Sequence, residues 1–188
     1  ILGAKAYLSF QPLGVVGIVT PWNAPIGVGF MCVADAITAG NRFMIKQSEY
    51  GPAFGELCAE LIAKYFDKTE GHVINGGPDV AIAFTQLPFD HLIFTGGTEI
   101  AKHVMRAAAE NLVPVTLELG GKSPAIIGSD VNIDEAAETV MYGKTVNGGQ
   151  VCMSPDYALV QKDQMDKFVT AAEKTVHKFY PTMKDNPD

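Results

Sequence analysis

The chain has 188 residues, of which 47% are hydrophobic and 19% charged, enough to bury one sizeable core or one core and part of a second. Its 21 acidic residues outnumber 14 basic ones and leave a net charge of −7. That balance excludes the cationic surfaces used to bind nucleic acid or anionic membranes, and the best apolar stretch, Ala24 to Ala39, is too short to span a bilayer and is broken by Asp35.

In chain order, Val15-Val16-Gly17-Ile18-Val19-Thr20 reads as a buried strand. Pro25 to Ala39 reads as a helix, with Pro in its first turn and Gly40-Asn41 as its stop. Arg42 to Lys46 is a second strand. A helix follows from Pro52 to Phe66, with Phe54, Leu57, Cys58, Leu61 and Ile62 at helical spacing. His72 to Asn75 is a third strand, Asp79 to Thr85 a short helix and His91 to Phe94 a fourth strand. Gly97 to Glu110 is a helix with Ile100, Val104 and Ala108 on one face, and Val115 to Glu118 a fifth strand. This alternation predicts βαβ units and a Rossmann-like, doubly wound parallel sheet. Beyond Gly120-Gly121 the pattern continues with a strand at Ser123–Ile127, a helix at Asn132–Tyr142, a strand at Tyr157–Gln161 and a helix at Asp163–Lys178. The reading is therefore an α/β chain of two parts. Residues 1–119 form a Rossmann-like domain, and 120–188 open a second α/β domain.

Ligands of such sheets bind at the carboxyl ends of the strands, and Asn23, Lys46, Gly96 and Glu118 each follow or finish one. Cys152 sits in Gly149-Gln150-Val151-Cys152, where small residues let a loop approach a ligand and expose its N–H groups. A thiolate there is a strong nucleophile toward a carbonyl, although most lone cysteines are structural. Glu118 lies in Leu117-Glu118-Leu119-Gly120-Gly121-Lys122. Burial at a strand end would raise its pKa and suit it to general-base work; the structural alternative is an N-cap or an ion pair, for example with Lys122. Phe94-Thr95-Gly96-Gly97-Thr98-Glu99 is a strand, a glycine turn and a helix start, able to hold a pyrophosphate on backbone N–H groups or to serve as a plain βα turn. In Lys46-Gln47-Ser48-Glu49, Lys46 and Glu49 can hydrogen-bond ribose hydroxyls, with the acid favouring NAD over NADP. The same tetrapeptide also suits a solvated loop. In Thr20-Pro21-Trp22-Asn23 the Asn23 amide can donate to an oxyanion or make an Asx turn.

The three cysteines, Cys32, Cys58 and Cys152, are far apart. They fit neither a disulfide framework nor a zinc site, so no metal is expected and a reducing, cytoplasmic setting is. Cys32 and Cys58 lie on apolar helical faces and read as core thiols. The four histidines have no ligand or triad spacing. There is no signal peptide, and the chain does not begin with Met, so it reads as starting inside a longer protein.

Taken in order, these motifs resemble the aldehyde dehydrogenase superfamily. Thr20-Pro21-Trp22-Asn23 is similar to its oxyanion segment, and Gly40-Asn41 through Lys46-Gln47-Ser48-Glu49 to its ribose segment. Phe94 to Glu99 is similar to its phosphate turn, Glu118-Leu119-Gly120-Gly121-Lys122 to its general-base signature and Gly149 to Cys152 to its nucleophile signature. Cys152-Met153-Ser154-Pro155-Asp156-Tyr157 resembles the class 3 and coniferyl aldehyde dehydrogenase branch. The resemblance implies oxidation of an aldehyde to its acid through a thiohemiacetal and thioester on Cys152, with Glu118 activating water and Asn23 holding the oxyanion. It implies NAD(P) binding for the domain at 1–119 and catalysis for the one opened by 120–188, with cofactor contacts from Thr20, Pro21, Trp22, Lys46, Ser48, Glu49, Gly96, Gly97 and Leu119. NAD is the implied cofactor, with NADP the alternative, and aromatic or medium-chain aldehydes are the implied substrates. A homodimer or homotetramer is implied for the parent protein.

Three positions depart from the family pattern. Gln47 stands in place of Pro and should loosen its loop; Gly97 replaces Ser and Ala101 replaces Gly. A Glu-x-Phe-Gly-Pro segment that holds the nicotinamide ribose in the family is absent, so the isolated chain is expected to be inactive. The competing reading is a non-catalytic nucleotide-binding protein on the same fold.

Overall fold

A computed structural model describes residue 3 and residues 5–182; the outer limits of the two expected domains, at 1 and 188, fall outside them. The chain divides into two compact units, Ile1–Leu119 and Gly120–Asp188.

The first unit is a five-stranded sheet formed by β1 (Val15–Val19), β2 (Arg42–Lys46), β3 (Gly71–Ile74), β4 (His91–Gly96) and β5 (Val115–Leu119). All its pairings are parallel, in the order β3-β2-β1-β4-β5. Helices α1 (Phe30–Thr38), α2 (Pro52–Tyr65), α3 (Pro78–Thr85) and α4 (Thr98–Ala109) provide the connections. Successive strand residues face opposite sides, so the sheet builds two cores. Val16, Ile18, Phe43, Ile45 and Val73 pack with Val33 and Ala36 of α1 and Cys58 and Ile62 of α2. Leu92 and Phe94 pack on the other face with Phe84 of α3 and Ala101, Val104 and Ala108 of α4. Helices on both faces make the sheet doubly wound, as expected from the sequence. Ile45 and Leu92 are fully buried, and truncating either to Ala should cost about 2–5 kcal/mol. The chain leaves β1 for β2 on one side and later enters β4 on the other. The topological switch point therefore lies between β1 and β4, where ligands of this architecture bind.

One predicted helix is revised. Pro25–Gly29 is a turn of π-helix, and regular α-helix begins only at Phe30. At its end Gly29 lies against the residue that follows β1, where a Cβ would stand 2.7 Å from Thr20 Cγ2. The π-helix is rare and occurs mostly as a single turn beside regular α-helix, as here.

The second unit contains a two-stranded parallel sheet of β6 (Ser123–Ile126) and β7 (Pro155–Leu159), with helices α5 (Ile133–Thr145) and α6 (Met165–Phe179). The Asn132 side chain accepts from the Asp134 N–H at 3.0 Å and caps α5. Asp134 and Glu135 then complement the helix dipole. Ile133, Ala137, Phe168 and Ala171 form its core. Strand β7 starts two residues earlier than the sequence pattern indicates, because Pro155 already pairs with Ser123.

Candidate functional site

In the first unit, four of the singled-out segments meet the same sheet edge. Thr20-Pro21-Trp22-Asn23 follows β1, Lys46-Gln47-Ser48-Glu49 closes β2, Gly96-Gly97 ends β4 and Glu118-Leu119 ends β5. The parallel register makes this unavoidable: Val19 pairs with Lys46 and with Phe94, and Thr95 pairs with Glu118.

Lys46 is 1% exposed, and its Nζ donates to the Gln47 carbonyl at 2.6 Å. Glu49 lies 3.8 Å away and is 35% exposed. Burial pushes the Lys46 pKa below its ordinary value, against the opposing pull of Glu49 and Asp79. The cation is thus kept close to a carboxylate at the rim of the edge, a donor and acceptor pair suited to vicinal hydroxyls. Ser48 is half-buried beside them.

Gln47 does not loosen this loop as its departure from Pro suggested. It is 1% exposed, its N–H donates to the Ile74 carbonyl at 3.2 Å, and its Oε1 accepts from Thr20 Oγ1 at 2.8 Å. Thr20, itself 5% exposed, thereby straps the end of β1 to the end of β2. Gln47 Nε2 is buried with no acceptor. This strap escaped the sequence reading because a Thr and a Gln 27 residues apart carry no local signal.

The glycine turn is required by packing as well as by any ligand. A Cβ at Gly96 would stand 2.6 Å from the Phe94 ring, whereas one at Gly97 meets nothing within 4 Å. Gly97 is the N-cap of α4 and supplies no side chain to the cap, so the helix start is left with backbone donors. Ala101 is 2% exposed and packs in the core beneath that turn. Pro21 is buried, Asn23 half-buried, and Trp22 is 51% exposed beside them.

Glu118 is exposed, which corrects the burial expected of it. Strand β5 is an edge strand with alternating burial, and the pleat turns Thr116 and Glu118 to its open side while Leu117 and Leu119 pack inward. Its expected ion-pair alternative is also revised: Lys122 pairs with Asp156 at 2.9 Å.

In the second unit, Cys152 is exposed. It follows three consecutive left-handed residues, Asn147 (φ 53°), Gly148 (φ 64°) and Gly149 (φ 78°). A Cβ at Gly149 would stand 2.9 Å from the Lys144 carbonyl, so only glycine suits both the torsion and the space. A turn from Val151 to Ser154 then presents Cys152, closed by the Ser154 N–H on the Val151 carbonyl at 3.0 Å. Cys58 is buried and Cys32 half-buried. Burial pushes both thiol pKa values up, with the Asp35 charge and then that of Glu118 adding to the effect at Cys32. Among the described residues no group of three or more His, Cys, Asp or Glu side chains is placed to hold a metal ion, and no helix is long and apolar enough to cross a membrane.

The first unit is a doubly wound α/β sheet with polar residues and a glycine turn gathered at the carboxyl ends of its strands, and the second unit exposes a thiol. The aldehyde dehydrogenase family profile matches residues 2–188, and the chain belongs to that family. It is 53% identical to a probable coniferyl aldehyde dehydrogenase of Caulobacter vibrioides, over 100% of this chain and 39% of the relative. It is 53% identical to a coniferyl aldehyde dehydrogenase of a Pseudomonas species, over 99% of the chain and 39% of the relative. A substrate-bound Staphylococcus aureus AldH structure superposes with a TM-score of 0.90 at 42% identity, covering 95% of this chain and 39% of that one. A Mycobacterium tuberculosis aldehyde dehydrogenase complexed with NAD+ superposes at 0.82 with 34% identity, covering 88% of this chain and 35% of that one. The chain thus spans about two fifths of the length of the relatives it matches.

Proposed function

We propose that the protein to which this chain belongs oxidises an aldehyde to a carboxylic acid, with Cys152 as nucleophile, Glu118 as general base and Asn23 as oxyanion donor. One observation carries the reading. In a chain of this family, the Asn23, Lys46–Glu49, Gly96–Gly97 and Glu118 segments all finish adjacent parallel strands, and the exposed thiol is Cys152.

The Cys152 thiolate adds to the carbonyl carbon, forming a C–S bond and a thiohemiacetal oxyanion. The Asn23 amide and the Cys152 backbone N–H donate to that oxygen. When bound, a nicotinamide dinucleotide supplies the two-electron acceptor for the hydride that leaves carbon, and a thioester remains. Glu118 takes a proton from water as the water attacks the thioester. The C–S bond breaks, the acid departs and Cys152 leaves as thiolate.

The cofactor reading rests on the donor set. Lys46 and Glu49 suit ribose hydroxyls, Ser48 borders them, and the open Gly97 with the backbone donors of α4 suits a phosphate. Thr20, Pro21, Trp22 and Leu119 line the same edge. A carboxylate at Glu49 repels a 2′-phosphate, so NAD is preferred over NADP. The coniferyl names of the 53% relatives support an aromatic aldehyde, with medium-chain aldehydes next. A free, exposed thiol nucleophile favours a reducing, cytoplasmic setting, and the parent assembles as a homodimer or homotetramer, as the family resemblance implies. On this reading residues 1–119 are the cofactor domain and 120–188 open the catalytic one.

The test measures reduced-cofactor formation from one aromatic and one aliphatic aldehyde, with NAD and with NADP. The full-length protein, its Cys152→Ala variant and the 188-residue chain are run side by side. Activity is expected in the full-length protein alone. No turnover anywhere, with NAD still bound, would instead establish a non-catalytic nucleotide-binding protein.

A further inference from the structure

The second unit contains a device beside Cys152 that no step above uses. Strands β6 and β7 pair Ser123 with Pro155 and then Pro124 with Tyr157, so Asp156 is an extra residue with no partner across the ladder. Bulges of this kind bend a strand and re-aim a side chain, and they are uncommon between parallel strands. The Asp156 carboxylate is re-aimed onto Lys122. The Lys122 ammonium donates to Oδ1 at 3.0 Å and lies 2.9 Å from Oδ2. The pair therefore joins the residue after the Gly120-Gly121 turn to the residue two beyond Ser154.

Between those two anchors lies the Cys152 loop. Ser154 is 8% exposed, and its hydroxyl donates to the Gly143 carbonyl of α5 at 3.1 Å. A Cβ at Gly121 would stand 3.4 Å from the Cys152 carbonyl, so the glycine turn lies against the nucleophile's own backbone. Ser154 fixes the loop to the helix. On the far side, where β7 begins, Ser123 pairs with Pro155 across the ladder, and the Lys122–Asp156 pair adds a side-chain tie at the bulge, where the ladder skips a residue.

Resting on the reading of Cys152 as nucleophile, we propose that Lys122 and Asp156 are positioning residues, an ion pair on a β-bulge that holds the Cys152 loop against the Gly120-Gly121 turn. The pair touches no reacting atom. Lys122 is 79% exposed, so its worth as a surface ion pair for stability is small. Its effect is geometric, because nucleophile displacement of about 1 Å can cost a large factor in rate.

The test uses the full-length protein carrying this chain, with Lys122→Met, Asp156→Asn, Lys122→Arg and Cys152→Ala variants. The exposure of Lys122 makes loss of its charge harmless to folding. Lys122→Met and Asp156→Asn are each expected to lower kcat about tenfold, while iodoacetamide, which meets the exposed Cys152 thiol from solution, should alkylate it at a rate within about twofold of the parent. The Kd for NAD should stay within about twofold. Lys122→Arg, which keeps a cation opposite Asp156, should retain most of the turnover. The proposal is overturned if the Met and Asn variants keep kcat within about twofold of the parent, if their Cys152 alkylation falls as much as kcat, which would assign the loss to the thiol's own reactivity, or if Lys122→Arg loses as much as Lys122→Met. Full turnover by Cys152→Ala would sink the nucleophile reading itself, a failure distinct from that of the pair.

Discussion

Thr20 Oγ1 donates to Gln47 Oε1 at 2.8 Å, joining two buried side chains on neighbouring strand ends, while Gln47 Nε2 is left without an acceptor. Removing one partner of a buried pair strands the other, whereas removing both is milder. Thr20→Val should therefore cost about 1–3 kcal/mol, and Gln47→Met less, since it also removes the orphaned amide. The double variant should resemble Gln47→Met alone, a coupling that urea unfolding midpoints of all three would measure. Additive losses would show that the strap is not a unit.

The two glycines after β4 separate packing from ligand binding. Gly96→Ala puts a Cβ 2.6 Å from the Phe94 ring, which is itself 5% exposed and cannot swing away. It should lose about 1–3 kcal/mol of stability. Gly97→Ala meets no neighbour within 4 Å, so its stability should stay within about 0.5 kcal/mol of the parent. Its Kd for NAD should nevertheless rise severalfold if a phosphate rests on that turn. Fluorescence titration with NAD decides the point; an unchanged Kd in Gly97→Ala would remove the phosphate site.

Acid sensitivity is expected at the opposite end of the sheet. His91 Nε2 lies 2.8 Å from Thr116 Oγ1, and burial holds its imidazole below the ordinary 6.5. The unfolded chain then takes up a proton that the folded chain refuses. Stability is complete above pH 6.5 and falls as the pH drops from there toward the folded value. His91→Gln should flatten that part of the curve. Parallel curves for the two proteins, from urea unfolding at several pH values, would exclude His91 as its source.

The three thiols should also differ in reactivity. Burial raises the pKa of Cys58 and Cys32, and Cys58 is 2% exposed, whereas Cys152 is exposed. Because the thiolate is the reactive form, iodoacetamide at neutral pH should label Cys152 first. Labelling of Cys58 should need higher pH or unfolding, as peptide mass mapping would read out. Equal labelling of Cys58 and Cys152 would contradict the burial described for the first.

The alternation of Val15–Thr20, Arg42–Lys46, His91–Phe94 and Val115–Glu118 with amphipathic stretches determined a parallel, doubly wound sheet by itself, because strand burial and helix periodicity are local properties of sequence. The motifs at the strand ends were legible for the same reason: a parallel register carries every such end to one edge. What lay beyond sequence was anything set by partners far along the chain. The Thr20–Gln47 strap and the bulge that sends Asp156 to Lys122 both depend on which residues the register brings opposite one another. The exposure of Glu118 was likewise a tertiary outcome. Its place at a strand end was readable, but which face of β5 is covered depends on β5 being the sheet's edge and on which helices pack there, and no spacing in the chain encodes that.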